Sequence, residues 1–426
     1  MNQNARRVAV LGGNRIPFAR QNGPYAKASN QDMLTATLDA LVSKFDLEGD
    51  VLGEVAAGAV LKHSRDFNLT REAVLGSRLA PETPAYDVQQ ACATGLEATI
   101  AVANKIALHQ IECGIAGGVD TTSDAPLGLN EDLRNILLDL SRSKSTAARA
   151  RALSRLRPQQ IVPEVPRNAE PRTGLSMGDH TAIMATEWGI GREEQDELAL
   201  ASHLKLAAAY DSGWLDDQVV PYLGLARDQN LRPDSSLEKL AKLRPVFGGE
   251  DGTMTAGNST PLSDGASAVL LASEAWAQAH GIPVQAFITD AQTAAVDYVH
   301  KREGLLMAPA YAMPKMLARN GLTLQECDFY EIHEAFAAQV LCTLKAWEDP
   351  VYCRERLGLD EPLGAIDREH LNVHGGSIGA GHPFGATGGR IVATLAKELS
   401  ERESGHGVIS VCAAGGLGVT AIMEAA

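Results

Sequence analysis

Two cysteines and two histidines stand in surroundings that a purely structural residue does not need. Cys92 lies in Gln89-Gln90-Ala91-Cys92-Ala93-Thr94-Gly95-Leu96, between the end of a strand near Tyr86–Val88 and a helix starting near Gly95. A thiol at a helix N-terminus faces unpaired backbone N–H groups and the positive end of the helix dipole, and both favour thiolate over thiol. The position therefore predicts a nucleophile with a lowered pKa, although an isolated cysteine is more often a small buried filler. A nucleophilic thiol needs a base within reach, usually a histidine. His382 is the candidate, held between glycine and proline in Asn372-Val373-His374-Gly375-Gly376-Ser377-Ile378-Gly379-Ala380-Gly381-His382-Pro383-Phe384-Gly385. Such glycine density marks backbone passing close to something. The formal G-x-S-x-G match at Gly375–Gly379 is accidental, because a glycine-rich loop follows it where a nucleophile elbow requires a helix.

His333, in Tyr330-Glu331-Ile332-His333-Glu334-Ala335-Phe336-Ala337, falls where a strand gives way to a helix, the usual seat of functional groups in an α/β sheet. It is no zinc motif, since the second histidine of HExxH is replaced by Ala337. Its plain alternative is a helix-capping role. Cys412 ends the strand-like run before Ala413-Ala414-Gly415-Gly416-Leu417-Gly418. Small residues there leave backbone N–H groups free to turn toward a negative oxygen, each such donor contributing about 3–4 kcal/mol in known sites.

Positioning these groups requires alternating strands and helices, and the chain supplies them. Val8–Leu11, Glu54–Val60 and Gly114–Gly118 read as early strands, with a helix over about Leu96–His109. Ala286–Ala291, Phe329–Ile332 and Gly407–Val411 repeat the pattern, with a helix over Ala335–Trp347. Cys113–Ala125 and Gly407–Glu424 both give a short apolar strand and then a glycine pair, which suggests two similar α/β halves. The expected organisation is an N-terminal half at 1–125, completed by about 251–280, and a C-terminal half at 281–426. Between them, 126–250 reads as an inserted helical and loop region, with amphipathic segments opening at Ser176 and running over Glu193–Tyr210. Its basic run Arg142–Pro158 reads as a solvated helix face, a partner-docking surface or a landing site for a phosphorylated substrate.

The chain has 426 residues, 45% hydrophobic and 21% charged, with a net charge of −15. That is a soluble, multidomain composition and a poor match to nucleic acid or an anionic membrane. The six cysteines show no paired CxxC spacing, so no metal site is expected. No run is long enough for a membrane span, and the opening Met1–Gly13 reads as a first strand rather than a signal peptide. Free thiols fit a reducing, cytoplasmic setting.

In their order these motifs resemble the thiolase family over nearly the whole chain. The likeness runs from Arg15–Ala19 (RIPFA) through the Cys92 segment, Ser176–Ala182 (SMGDHTA), Thr255–Ala266 (TAGNSTPLSDGA), HEAFA, GHPFGATGGR and CAAGGLG. The resemblance implies the five-layered αβαβα thiolase fold and transfer of acyl groups between acyl-CoA and CoA. Cys92 would form the acyl-enzyme, His382 would activate it, and Cys412 would move the proton at the substrate α-carbon. His333 and His382 would hold the thioester oxygen, through a water on the His333 side, and the N–H groups of Cys92 and Ala414 would form a second oxyanion site. Met177, Gly178, Ser259, Thr260 and Phe336 would lie along CoA, which is a substrate and not a permanently bound cofactor. The implied partners are copies of the same chain, as dimer or tetramer, and a hydratase/dehydrogenase subunit. His333 stands where many thiolases have asparagine, which resembles the β-subunit branch of trifunctional fatty-acid-oxidation complexes. His374 replaces the second asparagine of NVNGG, and Ala414 replaces a glycine. Thiolytic degradation leads, with acetoacetyl-CoA synthesis as the alternative direction. A decarboxylating ketoacyl synthase is disfavoured by Cys412, and a lipid-binding protein without turnover by the retention of all four groups.

Overall fold

The computed structural model describes residues 5–300 and 302–426. Its strands are β1 (Val8–Arg15), β2 (Ala19–Arg20), β3 (Glu54–Ala57), β4 (Ala85–Asp87), β5 (Cys113–Asp120), β6 (Pro245–Phe247), β7 (Met254–Thr255), β8 (Ser263–Ser273), β9 (Ala286–Ala295), β10 (Phe329–Ile332), β11 (His406–Ala413) and β12 (Leu417–Ala425). They form one mixed sheet in the order β10-β11-β12-β9-β1-β8-β5-β3-β4, with β2 on β8 and β6–β7 as a separate hairpin. Within the sheet the halves join through β1 and β9, whose paired residues run from Val8↔Ile288 to Val10↔Ala286. Each half repeats one construction: β5 runs antiparallel to β8 as β11 does to β12.

Helices Thr94–Ala107 and Thr387–Arg402 form the middle layer and pack on each other between the two half-sheets. Asn30–Lys44 and Leu69–Gly76 cover the outer face of the N-terminal half, and Ala308–Asn320 and Ala337–Glu348 that of the C-terminal half. Three apolar zones result, one under each outer layer and one around the central helices. This is the αβαβα layering, and it explains why β1, β5 and β8 are buried along their whole length rather than alternating.

Several element boundaries differ from the periodic pattern for local reasons. The strand expected over Glu54–Val60 stops at Ala57, because the buried Asp120 carboxylate takes the N–H groups of Val60 and Leu61. The helix expected from Ala335 begins at Ala337, since the Ala335 carbonyl accepts from Thr260 N–H (3.1 Å) and Thr260 Oγ1 (2.9 Å). Helix Thr94–Ala107 ends two residues before the expected His109, which adopts a left-handed φ of 60°.

Residues 126–250 contain helices Glu131–Arg142, Thr146–Leu153, Met177–Glu187, Arg192–Asp211 and Leu237–Ala241. Ser176 opens the third of them with a capping box to Asp179. The region is tied to the N-terminal half by a buried ion pair in which Arg15 donates to both Asp228 oxygens, at 2.5 and 2.7 Å. Arginine in the RIPFA motif is thus an anchor, matched by the bidentate carboxylate that such a fork prefers.

Candidate active site

Cys92 sits in a sharp turn between β4 and the Thr94–Ala107 helix. Ala91 before it has φ 46°, a left-handed conformation costing a non-glycine residue roughly 1–2 kcal/mol. Thr94 holds the turn: its Oγ1 accepts from Gln90 N–H (2.9 Å) and donates to the Ala91 carbonyl (2.7 Å). The turn leaves Cys92 at the start of the central helix, packed among residues of both halves, Val411 and Ala413 included.

His382 comes from the opposite direction, on the loop before helix Thr387–Arg402. Its backbone N–H donates to Ser263 Oγ (3.2 Å), and its Nδ1 lies 2.6 Å from Thr387 Oγ1. Gly385 N–H donates to Asp120 Oδ2 (2.8 Å), pinning the loop to the end of β5. The glycines let two helix starts meet backbone to backbone. A Cβ on Gly95 would lie 2.6 Å from the Gly385 carbonyl, and one on Gly388 would lie 2.1 Å from Leu96 N. GATGGR is therefore the device that brings the His382 loop against the Cys92 turn.

His333 follows β10, with its N–H on the Ser410 carbonyl (2.8 Å) and Nδ1 2.8 Å from Ser377 Oγ. The rings of His333 and His382 are 4.1 Å apart between centroids. Cys92 Sγ and one ring nitrogen of each histidine all lie within 4.8 Å of one another. Cys412 is 1% exposed, near the end of β11, and close enough that a charge on Cys92 opposes its own ionisation. The Cys92 and Ala414 backbone N–H groups are near enough to the Cys92 sulphur to favour its thiolate. All five residues expected to act together are thus brought together.

The electrostatics overturn one expectation. Cys92 does not gain acidity from its place before a helix. Burial pushes its thiol up to about 12, against the pull of the Ala414 and Cys92 N–H groups. Burial and the Arg390 charge lower His382 to about 3, and burial, with His382 and Arg390, holds His333 well below its usual value. The resting site therefore holds neutral thiols beside neutral imidazoles.

A cavity of about 330 Å³ opens over Cys92 and Ala414, with Met177, Val60, Leu61, Val165 and Leu262 among its walls. Gly178 lies under the Phe247 ring, where a Cβ would come within 2.3 Å of its carbons. Phe247 meets Phe336 edge-on, with centroids 6.0 Å apart, and Phe336 bridges Ser259 across the backbone. Ser259 Oγ is buried with no partner among the described residues, while Thr260 Oγ1 is spent on the Ala335 carbonyl. The basic run is elsewhere: Arg142–Arg157 lies on exposed helices, with Arg155 paired to Asp139 at 2.5 Å, and contributes nothing to this wall. The cation on the cavity wall is Arg167. His374 stacks on Trp214 (3.6 Å between centroids), with Nδ1 2.9 Å from Glu398 Oε1, and takes no part in the site.

Sequence reasoning passed over Glu170, Asp120 and Phe247. Glu170 lines the cavity and accepts from Gly415 N–H (2.9 Å), fixing the turn after Cys412. No motif marks it. Asp120 carried a signal, as the acid closing the glycine-containing strand Cys113–Asp120.

A five-layered duplicated fold with two thiols and two imidazoles at the meeting of its central helices defines a CoA-thioester acyltransferase of one kind. Residues 8–275 match the model of the thiolase N-terminal domain and 282–425 that of the thiolase C-terminal domain, and the chain belongs to the thiolase family. Among its relatives, a 3-ketoacyl-CoA thiolase of Yersinia pestis (strain Pestoides F) is 39% identical over 424 residues, covering 98% of this chain and 97% of the relative. The acetyl-CoA acetyltransferase of Bacillus anthracis superposes with a TM-score of 0.82 at 30% identity over 100% of both chains. Human mitochondrial 3-ketoacyl-CoA thiolase in complex with CoA superposes with a TM-score of 0.81 at 28% identity, over 99% of this chain and 98% of that one. The chain is a thiolase, an acyltransferase that works with CoA.

Proposed function

We propose that this thiolase acts chiefly in the degradative direction, cleaving 3-ketoacyl-CoA through an acyl-enzyme on Cys92. The observation that carries the reading is the group of Cys92 Sγ and the His333 and His382 ring nitrogens, all within 4.8 Å, beneath a cavity bounded by Ala414. His382 takes the Cys92 proton as the sulphur attacks the 3-keto carbon, and the N–H groups of Cys92 and Ala414 receive the oxygen's charge. The C2–C3 bond breaks, leaving the acyl group on sulphur and an acetyl-CoA enolate whose oxygen is held by His333 and His382. Cys412 protonates the enolate carbon. CoA thiol then attacks the acyl-enzyme, its proton restoring Cys412 while His382 returns the first proton to the departing Cys92 sulphur, and a shortened acyl-CoA is released. Run backward, the same steps condense two acetyl-CoA molecules, with Cys412 as base.

The pantetheine arm lies along Met177, Gly178, Ser259 and Phe336, with Thr260 ordering the turn beside them, and Arg167 meets the CoA phosphates. The free Ser259 hydroxyl and the Phe247–Phe336 pair support this course. An apolar acyl chain would lie against Val60, Leu61, Val165 and Leu262, which favours longer 3-ketoacyl substrates over acetoacetyl-CoA. His333 and the long insertion favour the branch working with a hydratase/dehydrogenase subunit. A homo-oligomer is supported by β4, which pairs on one side only at the end of the sheet. All six cysteines are free, which suits the cytoplasm.

The test incubates the protein with CoA and a series of 3-ketoacyl-CoA lengths and follows loss of the ketoacyl thioester. Turnover that rises with chain length and vanishes in Cys92→Ser supports the reading. Near-native cleavage by Cys92→Ser, or activity confined to acetoacetyl-CoA, refutes it.

A further inference from the structure

The two active-site imidazoles have unlike neighbours behind them. His333 Nδ1 is 2.8 Å from Ser377 Oγ, and the same oxygen lies 3.2 Å from Arg390 Nη2. A guanidinium only donates, so Arg390 occupies a lone pair of Ser377 Oγ and leaves the hydroxyl proton to be given elsewhere. The acceptor in line is His333 Nδ1. A neutral imidazole that accepts at Nδ1 carries its hydrogen on Nε2. His333 is fully buried, and its Nε2 has no partner among the described residues. Arg390 is itself nine-tenths buried, with Glu331 Oε2 4.0 Å from its Nη1, so its position is fixed by the core and not by solvent. His382 differs. Its Nδ1 faces Thr387 Oγ1 (2.6 Å), a hydroxyl that takes no other hydrogen bond among the described residues and can turn to donate or accept.

We propose that Ser377 and Arg390 are positioning residues that lock His333 as the Nε2–H tautomer, a permanent hydrogen-bond donor to the thioester oxygen, while Thr387 leaves His382 free to exchange a proton with Cys92. The arrangement divides labour between two identical side chains. One imidazole stabilises the enolate oxygen without ever competing for a proton. The other cycles between acceptor and donor as the thiol is ionised and restored. The catalytic consequence rests on the oxyanion role given to His333 above; the tautomer itself does not.

The direct test is 15N NMR of histidine-labelled wild-type protein, with His333 assigned by its loss in His333→Asn. The expected resting spectrum has His333 unprotonated at Nδ1 and protonated at Nε2; protonation at Nδ1 overturns the proposal. Ser377→Ala should release the tautomer and lower kcat for 3-ketoacyl-CoA cleavage about 10–100-fold, the range seen when a ligand-orienting partner is removed. Its KM and its rate of Cys92 acetylation by acetyl-CoA should stay near wild type, and Ser377→Thr should recover cleavage. A Ser377→Ala enzyme with wild-type kcat, or one whose acetylation falls as far as its cleavage, overturns the proposal. If His333→Ala cleaves at the native rate while the wild-type tautomer is as expected, the oxyanion role of His333 fails and the tautomer lock stands.

Discussion

Cys92 has its proton held up to about 12 by burial, and His382 stays unprotonated to about 3. Two consequences follow for the free enzyme. No thiolate–imidazolium pair exists at neutral pH, and the thiolate fraction grows about tenfold per pH unit well above 7. The rate of Cys92 alkylation by iodoacetamide is therefore expected to climb between pH 7 and 10 without levelling; a plateau with a midpoint near 7 contradicts this. The residue types were legible in the sequence because each sits in a motif whose glycines or small neighbours have no other use. The acidity of Cys92 was not legible. A helix start is a local feature, but the desolvation that outweighs it comes from strands hundreds of residues away.

At the scale of elements, the site depends on β5, the His382 loop and the Cys92 turn touching through backbone. A Cβ at Gly118 would lie 2.0 Å from the Gly385 carbonyl. Gly118→Ala is expected to destabilise by about 1–3 kcal/mol, the cost of overpacking. It should also cut cleavage about 100-fold, since a shift near 1 Å in a reacting group costs that much. Urea unfolding and ketoacyl-CoA turnover measure the two. Gly415→Ala makes the control: its φ is 80° but no atom lies within 4 Å of the added carbon, so only backbone strain of roughly 1–2 kcal/mol is expected. The strands read from periodicity are present and β10 matched to the residue, but β8 and the central helix Thr387–Arg402 were not read, since glycines and small residues blunt their apolar pattern. Element ends were not legible, because Asp120 and Ala335 stop a strand and delay a helix through hydrogen bonds to distant segments. The basic run is exposed, as its reading as a solvated helix face expects, and its alternative as a phosphate landing site finds no support in the cavity wall. Charge density in the sequence says nothing of which face a helix turns to the cavity, and Arg167 alone, outside that run, reaches it. Arg167→Ala is accordingly expected to raise KM for CoA several-fold, whereas Arg151→Ala leaves it unchanged; equal effects would return the phosphates to the helical run.

For the whole molecule, burial of charge sets the pH range of stability. Asp120 keeps its proton to about 7 and Glu398 to about 8, both raised by burial, and Glu331 and Glu334 are raised as well. Such groups favour the folded state fully below their unfolded values near 4, and the advantage is lost as pH rises through 7–8. His203 and His374, lowered to about 4, and His382, lowered to about 3, act oppositely: their contribution is present above about 6.5 and lost as pH falls. Above about pH 7.5 the imidazoles are neutral in both states and the raised carboxyls set the slope, so the urea midpoint should fall from about pH 7.5 to 8.5, less steeply in Glu398→Gln. A flat or rising midpoint in the parent protein contradicts the assignment.

The central claim is that one chain needs two thiols for two separate jobs. Cys412→Ala, given acetyl-CoA, tests it most directly. Mass spectrometry should find Cys92 acetylated at the wild-type rate while acetoacetyl-CoA formation and cleavage fall by at least about 100-fold, as loss of a general acid–base group predicts. Carbon–carbon chemistry persisting at the native rate, or Cys92 acetylation failing along with it, would contradict the division.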